Sequence, residues 1–473
     1  MPGRRTLISG GHVLSMDPQI GELERGCVLV EDDRIVAVER EIDAPDADRV
    51  DAGGGVIMPG FVDTHRHTWQ TALRGICADW TLFDYTVGMR MTISPRLTAQ
   101  DVYLGNRAGA LEALDAGVTT ILDFSHCNNT PEHADGALQG LLDAGIRAVF
   151  AYGYFHPPVA DPHFTSHAMR LEDSRRVKHA IDALPGDLVR MGISLTEPGL
   201  IPFADTRREV ETARELGALM ATHTGCVWSL PTGLDQFAVH GLLGPDIVHV
   251  HCNTCSAREW ELLRASDAKI STSPETEIQM GMGHPPIATA LDLGLTLSLS
   301  CDVMSGNSGD MFSQMRIGLQ FARCMANDEL NARRDDPREL VFTTRDALGW
   351  ATIGGATALG MDDRIGSLTP GKQADVIVVG RGGDRLNMIA PANPVGALVS
   401  QANASNVRAV LVAGKVVKRD GRLVGVDVPQ LGAALERSCA GILERVLADG
   451  PLLPEPRPSF GDLAAPLLAN FNV

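Results

Sequence analysis

Apolar and polar residues alternate with period two through much of residues 1–57, in Thr6-Leu7-Ile8, His12-Val13-Leu14, Cys27-Val28-Leu29-Val30 and, across an Asp32-Asp33 turn, Arg34-Ile35-Val36-Ala37-Val38. Alternation of this kind between tight turns predicts short antiparallel strands. The same texture returns past residue 363, in Ile365-Gly366-Ser367-Leu368, Ala374-Asp375-Val376-Ile377-Val378-Val379 and Val410-Leu411-Val412-Ala413-Gly414-Lys415-Val416-Val417. Two β-rich ends around a different middle predict a small β-sandwich domain built from both chain ends. Residues 1–57 form its N-terminal part, and residues 363–473 supply the rest, with a helix over 431–447 and a Pro-rich end.

The middle, residues 58–362, alternates continuous apolar runs with amphipathic stretches. Strand candidates fall at 56–67, 118–123, 146–152, 188–195, 218–223, 247–251, 268–273 and 295–302, and helical patterns such as 205–216 and 257–265 lie between them. A further helical stretch over 345–359 leads back to the β domain. Eight strands with intervening helices predict a (β/α)8 TIM barrel, whose active site sits at the carboxyl ends of its strands.

Composition narrows the function classes. A hydrophobic fraction of 44% and a mean hydropathy near zero suit a globular chain in water. No apolar run approaches the ~20 residues a bilayer requires, and the N-terminus lacks the continuous apolar stretch of a secretory signal. A net charge of -18 disfavours nucleic acid and anionic membranes as partners. Nine scattered cysteines without framework spacing, the isolated Cys252-x-x-Cys255 included, read as reduced thiols of a cytoplasmic protein.

Chemistry-bearing residues gather at the strand ends. His65 and His67 close the first run, one residue apart, so that both imidazoles can face one point. His223 ends the fifth run, His251 the sixth and Asp302 the eighth. Several neutral imidazoles and one carboxylate suit a divalent transition metal, Zn²⁺ or Fe²⁺, with an open position for water. His249 reads as a packing or supporting histidine. His126 ends the second run, where it either shapes a substrate pocket or caps the following turn. Trp69 and Gln70 follow the paired histidines directly. With Trp80, Phe83 and Tyr85 in the same loop, they offer aromatic faces for a planar ring and an amide to read its edge, although core packing also explains them.

The run Pro59-Gly60-Phe61-Val62-Asp63-Thr64-His65-Arg66-His67, with Leu73-Arg74-Gly75, Gly117-Val118-Thr119-Thr120 and Gly366-Ser367-Leu368-Thr369-Pro370-Gly371-Lys372-Gln373-Ala374-Asp375, resembles the amidohydrolase superfamily. The likeness is to the branch holding cytosine, adenosylhomocysteine, methylthioadenosine and guanine deaminases and the triazine hydrolases, and it spans nearly the whole chain. It implies His65, His67, His223 and Asp302 as metal ligands, with Asp302 also taking a proton from the metal-bound water. It implies His251 as a catalytic group facing the substrate. The fourth strand offers no lysine to bridge two ions, so one divalent ion is expected, Zn²⁺ before Fe²⁺. One departure stands out: three residues past the fifth-strand histidine, where the deaminases carry a proton-shuttling glutamate, this chain has Cys226 beside the substrate. Glu197, Glu275, Glu277 and His251 are the alternative shuttles, with Glu275 slightly preferred.

The expected activity is therefore hydrolysis at an sp² carbon of a small nitrogen heterocycle, first of all deamination of a pyrimidine- or purine-like ring. The alternatives are hydrolysis of a cyclic amide, or loss of chloride or alkylamine from a triazine-like ring. A rival of another class is a catalytically silent, metal-bound ligand-binding relative. The exposed barrel and the resemblance point to a homo-oligomer.

Overall fold

The computed structural model describes residues 3–198, 200–381, 386–389, 391–453 and 455; most of the expected Pro-rich end lies outside them. A sheet of eight parallel strands runs in chain order through Phe61–Arg66, Val118–Ser125, Arg147–Gly153, Val189–Ser194, Leu219–Thr224, Ile247–His251, Lys269–Thr272 and Thr296–Leu299. These strands are almost wholly buried and rich in β-branched residues, as parallel strands covered on both faces must be. The ring closes just beyond the last strand. Asp302 N donates to the His65 carbonyl at 2.9 Å, and His67 N donates to the Asp302 carbonyl at 2.9 Å.

A second, mixed sheet joins the two chain ends. Its strands lie in the order Arg422–Leu423, Lys415–Arg419, Val407–Val412, Val376–Val379, Val56–Pro59, Arg5–Leu14, Glu22–Glu31 and Arg34–Glu39, with Asp48–Asp51 beside Arg5–Leu14. The expected first strand, 56–67, is thus two strands. Val56–Pro59 pairs with Val376–Val379 in the mixed sheet, and Phe61–Arg66 opens the barrel. Gly60 is the joint. A Cβ there would sit 2.1 Å from Thr119 Oγ1, so only glycine lets the chain pass between the sheets.

The motif ending in Asp375 fixes that joint from the other side. The Asp375 carbonyl accepts from Gly60 N at 3.0 Å, and its carboxylate takes Arg147 Nε and Nη2 at 2.8 and 2.9 Å. Arg147, fully buried, starts the third barrel strand, so one ion pair ties the mixed sheet to the barrel.

Helices differ from expectation mainly at their ends. The amphipathic pattern at 205–216 is the helix Phe203–Glu215, and 257–265 is Ala257–Ala265. The stretch 345–359 breaks at Thr352 into Thr344–Trp350 and Ile353–Ala358. The helix over 431–447 extends to Val428–Asp449 and docks on Ala99–Asp115, where Ser438 Oγ donates to Asp101 Oδ1 at 2.6 Å. No described helix is long and apolar enough to cross a membrane.

Candidate active site

The carboxyl ends of the barrel strands bring five of the expected residues together. His65 Nε2 lies 3.1 Å from Asp302 Oδ1 and 3.3 Å from His223 Nε2; His67 Nε2 lies 3.2 Å from Asp302 Oδ1; His251 Nε2 lies 3.8 Å from Asp302 Oδ2. Two overlapping triads, His65/His67/Asp302 and His65/His223/His251, each hold their ligand atoms within 4.8 Å of one another. An irregular register between Asp63 and Arg66 helps aim the paired histidines at the mouth, while Thr64 bonds Ser271 and Ser298 across the lumen beneath them.

The outer nitrogens decide what the inner ones can do. His67 Nδ1 faces the Phe124 carbonyl at 3.2 Å, which can only accept, so Nδ1 carries the proton and Nε2 presents a lone pair. His223 Nδ1 is held the same way by Glu197 Oε1 at 2.9 Å, and His251 Nδ1 by Glu277 Oε1 at 3.0 Å. Lone pairs on His67 and His223 are thereby turned toward His65 and the Asp302 carboxylate, an arrangement that repels itself unless a cation sits between. This donor set fits a divalent transition ion, and the carboxylate-on-histidine supports are those of metal sites. Burial pushes His65 well below its ordinary pKa and His223 down to about 4, in each case outweighing a neighbouring carboxylate. Both are therefore neutral at pH 7, the form that ligates. His251 moves the other way: burial opposes the charged form, but Glu277 and Asp302 more than compensate and raise it.

The backbone is strained where the chemistry is. His251 and Asp302 adopt φ of +79° and +59°, left-handed values costing non-glycine residues of order 1–3 kcal/mol each. The strain turns the chain sharply at the ends of the sixth and eighth strands, directing both side chains inward.

A cleft enclosing about 790 Å³ of empty space, part of it open to solvent, lies over these residues. His67, His223, His251 and Asp302 meet it on one side. Leu82, Met91, Phe155, Leu200, Val227, Leu230 and Val303 give it apolar walls, and Tyr85, Thr86, Arg90, Glu197 and Cys226 complete it. Arg90 comes from a π-helical stretch, Thr86–Ile93. Residues five apart share a face there, so the pairs Tyr85/Arg90 and Thr86/Met91 line the cleft together, whereas an α-helix would splay them by roughly 140°. The Arg90 guanidinium lies 4.2 Å over the Phe155 ring and grips both oxygens of Glu197. Burial alone would raise Glu197, but Arg90 and then His223 reverse this and hold it well below the usual carboxylate range.

Other expected residues lie elsewhere. Glu275 turns away from the cleft to accept from Ser308 and Gln314, because the helix Pro274–Gln279 directs Glu277, two residues on, toward His251. Trp69 and Gln70 are buried in the short 3-10 helix Thr68–Leu73 and do not line the cleft. The Trp69 indole donates to His126 Nδ1 at 3.1 Å, while the Gln70 amide spans Tyr85 and Ser305. His126 stacks on His67 at 4.4 Å between ring centres and stands behind the wall. Cys226 does line the cleft; burial, then the nearby carboxylates, raise its thiol well above its ordinary pKa. His249 bonds Thr224 Oγ1. Arg90 had no signal in the sequence, since no motif marks the π-helical stretch.

The Amidohydrolase family profile matches residues 56–417. The chain belongs to the amidohydrolase family. It is thus a metal-dependent hydrolase acting on carbon–nitrogen bonds. The amidohydrolase is 30% identical over 456 residues to the 5-methylthioadenosine/S-adenosylhomocysteine deaminase of Symbiobacterium thermophilum, covering 93% of this chain and 99% of that protein. Its fold is similar to that of a zinc-bound adenosine deaminase from Xanthomonas campestris, with a TM-score of 0.81, 24% identity and coverage of 94% and 100% of the two chains. It is also similar to the zinc complex of atrazine chlorohydrolase from Arthrobacter aurescens, with a TM-score of 0.77, 21% identity and coverage of 92% and 100%.

Proposed function

We propose that this amidohydrolase holds one Zn²⁺ through His65, His67, His223 and Asp302 and deaminates a small aminoheterocycle of the pyrimidine or purine type. The observation that carries the reading is the convergence of imidazole lone pairs and one carboxylate, with tautomers fixed from outside by the Phe124 carbonyl and Glu197. A divalent ion bound there supplies Lewis acidity and lowers the pKa of a water molecule in its open position. Asp302 takes a proton from the attacking water. His251, held toward its charged form by Glu277, donates from Nε2 to the oxygen being added. The deaminase relatives support a ring amine as leaving group.

A second reading rests on Cys226 and the apolar walls. A cleft lined by Leu82, Met91, Leu200 and Leu230 beside a protonated thiol also suits loss of chloride or alkylamine from an alkylated triazine-like ring. Free thiols at all nine cysteines support a cytoplasmic protein. Trp228 and Val239, 84% and 80% exposed, are apolar groups that a homo-oligomer would cover.

The test is metal analysis of the purified protein followed by a screen of pyrimidines, purines, triazines and cyclic amides, measuring ammonia beside substrate loss. One zinc per chain, stoichiometric ammonia and loss of turnover in Asp302→Asn are expected. Loss of a triazine with release of chloride or alkylamine but no ammonia would select the second reading, ring opening of a cyclic amide would contradict both, and turnover by Asp302→Asn equal to wild type would overturn both.

A further inference from the structure

We propose that the Tyr85 hydroxyl is the hydrogen-bond donor to the substrate's ring nitrogen beside the attacked carbon, supplying at the cleft wall the electrophile that position 226, a thiol, does not. The inference rests on the deaminase reading and deepens it, because it names what the ring must present: an unprotonated nitrogen next to the amino-bearing carbon.

A one-way chain of buried polar groups carries the argument. Ser305 Oγ, which lies 3.2 Å from the Cys77 thiol and accepts from it in this chain, donates to Gln70 Oε1 at 2.8 Å, which leaves the amide nitrogen of Gln70 to face Tyr85, donating to the phenol oxygen at 2.6 Å. Gln70 and Ser305 are fully buried, so this orientation has no water to exchange with. A phenol has a single proton to donate, and here its oxygen is already accepting. Among the described residues no acceptor meets that proton. A buried donor without an acceptor is costly, and the space beside Tyr85 is the cleft it shares with His67, Cys226 and Asp302. The ring centre of Tyr85 is 6.4 Å from that of His67, within reach of a ring resting over the metal ligands. Burial, then the Asp302 charge, keep the phenol protonated far above neutral pH, so the donor is not lost under working conditions.

The chemistry balances without moving the Tyr85 proton. Asp302 takes one proton from water as the new C–O bond forms, and the C=N electron pair shifts onto the ring nitrogen, where the Tyr85 O–H holds it. The pair then re-forms C=N as the exocyclic C–N bond breaks, and the departing nitrogen takes the proton from Asp302 and leaves as ammonia. One water is consumed, one ammonia is released, and both residues return unchanged. Gln70 and Ser305 act only through Tyr85, as positioning residues.

The experiment compares wild type, Tyr85→Phe and Tyr85→Phe/Cys226→Glu on whichever of cytosine, adenosine and melamine wild type turns over fastest. Zinc content and melting temperature are checked for each protein. Removing one such donor should lower kcat by about 100-fold with KM changed little. Cys226→Glu in the same background should restore at least a tenfold part of that loss and add an acidic limb to the pH profile. Equilibrium binding of unsubstituted pyrimidine, which keeps the acceptor nitrogens but has no leaving group, should weaken several-fold in Tyr85→Phe. If Tyr85→Phe keeps its zinc and stays within threefold of wild type in kcat and in pyrimidine binding, the inference is wrong while the deaminase reading stands. If none of the aminopyrimidines and aminopurines of the wider screen releases ammonia with wild type, the deaminase reading falls and this inference with it.

Discussion

Glu197→Gln isolates the support beneath the proposed metal centre. In the folded protein Glu197 Oε1 accepts from His223 Nδ1 at 2.9 Å and from Arg90, and Oε2 accepts from Arg90 Nη2 at 3.2 Å. An amide of the same shape supplies one acceptor where there were two. If its oxygen stays with His223, its NH2 confronts Arg90; if it turns over, its NH2 confronts the His223 N–H and favours the tautomer that can no longer ligate. Losing a support of this kind typically weakens metal binding 10- to 100-fold, or about 1.4–2.7 kcal/mol. The buried Arg90 left partly unpaired adds a stability loss of up to about 3–5 kcal/mol. Titrating metal-free protein with Zn²⁺ against a competing chelator measures the first quantity, and denaturation of the metal-free protein measures the second. Arg90→Met/Glu197→Gln should recover much of the stability and none of the affinity. A Glu197→Gln protein binding zinc within twofold of wild type would refute the reasoning, because His223 would then need no partner to hold its tautomer.

Two further substitutions test the scaffold and its response to pH. Asp375→Ala strands Arg147, which is fully buried, and also removes the acceptor of Ala413 N; the first urea-induced transition should lose about 3–5 kcal/mol, and a loss below 1 kcal/mol would contradict the role given to this pair. Glu209 is fully buried, and burial raises its pKa to about 8 from 4.5 despite two hydrogen bonds from Thr196. The folded state therefore keeps a proton that the unfolded state gives up above 4.5, and stability falls as pH rises from 4.5 to 8, by about 1.4 kcal/mol per unit. Between pH 5.5 and 7.5 wild type should lose about 2.7 kcal/mol relative to Glu209→Gln. Parallel stability curves for the two proteins would show that Glu209 is ionised in the fold.

The candidate site residues were legible because a strand end is a local object: His65, His67, His223, His251 and Asp302 each close an apolar run, and a barrel gathers such ends. The division of 56–67 was hidden, since apolar residues continue through Gly60 and only the Thr119 side chain, far along the sequence, shows why the chain changes sheets there. Choosing between Glu275 and Glu277 required the phase of a six-residue helix, which two acids in one turn do not reveal. Their place directly after His67 points Trp69 and Gln70 at the substrate, but the 3-10 helix Thr68–Leu73 buries both behind the cleft wall. Arg90 and Tyr85 share a face only through π-helical winding, and hydrophobic periodicity gives no warning of that.

The seam of the barrel has a consequence for how the chain matures. The main-chain bonds of Asp302 with His65 and His67 join the end of the last strand to the first, so residues of the proposed metal site also close the ring. During synthesis His65-x-His67 emerges long before Asp302, which lies 237 residues after His65. Until Asp302 emerges, a nascent chain offers at most the imidazoles of the proposed ligand set, His65, His67 and His223, without its carboxylate. With the ligand set proposed above, the site is complete only when the eighth strand has docked, so truncated or misfolded copies should purify metal-poor.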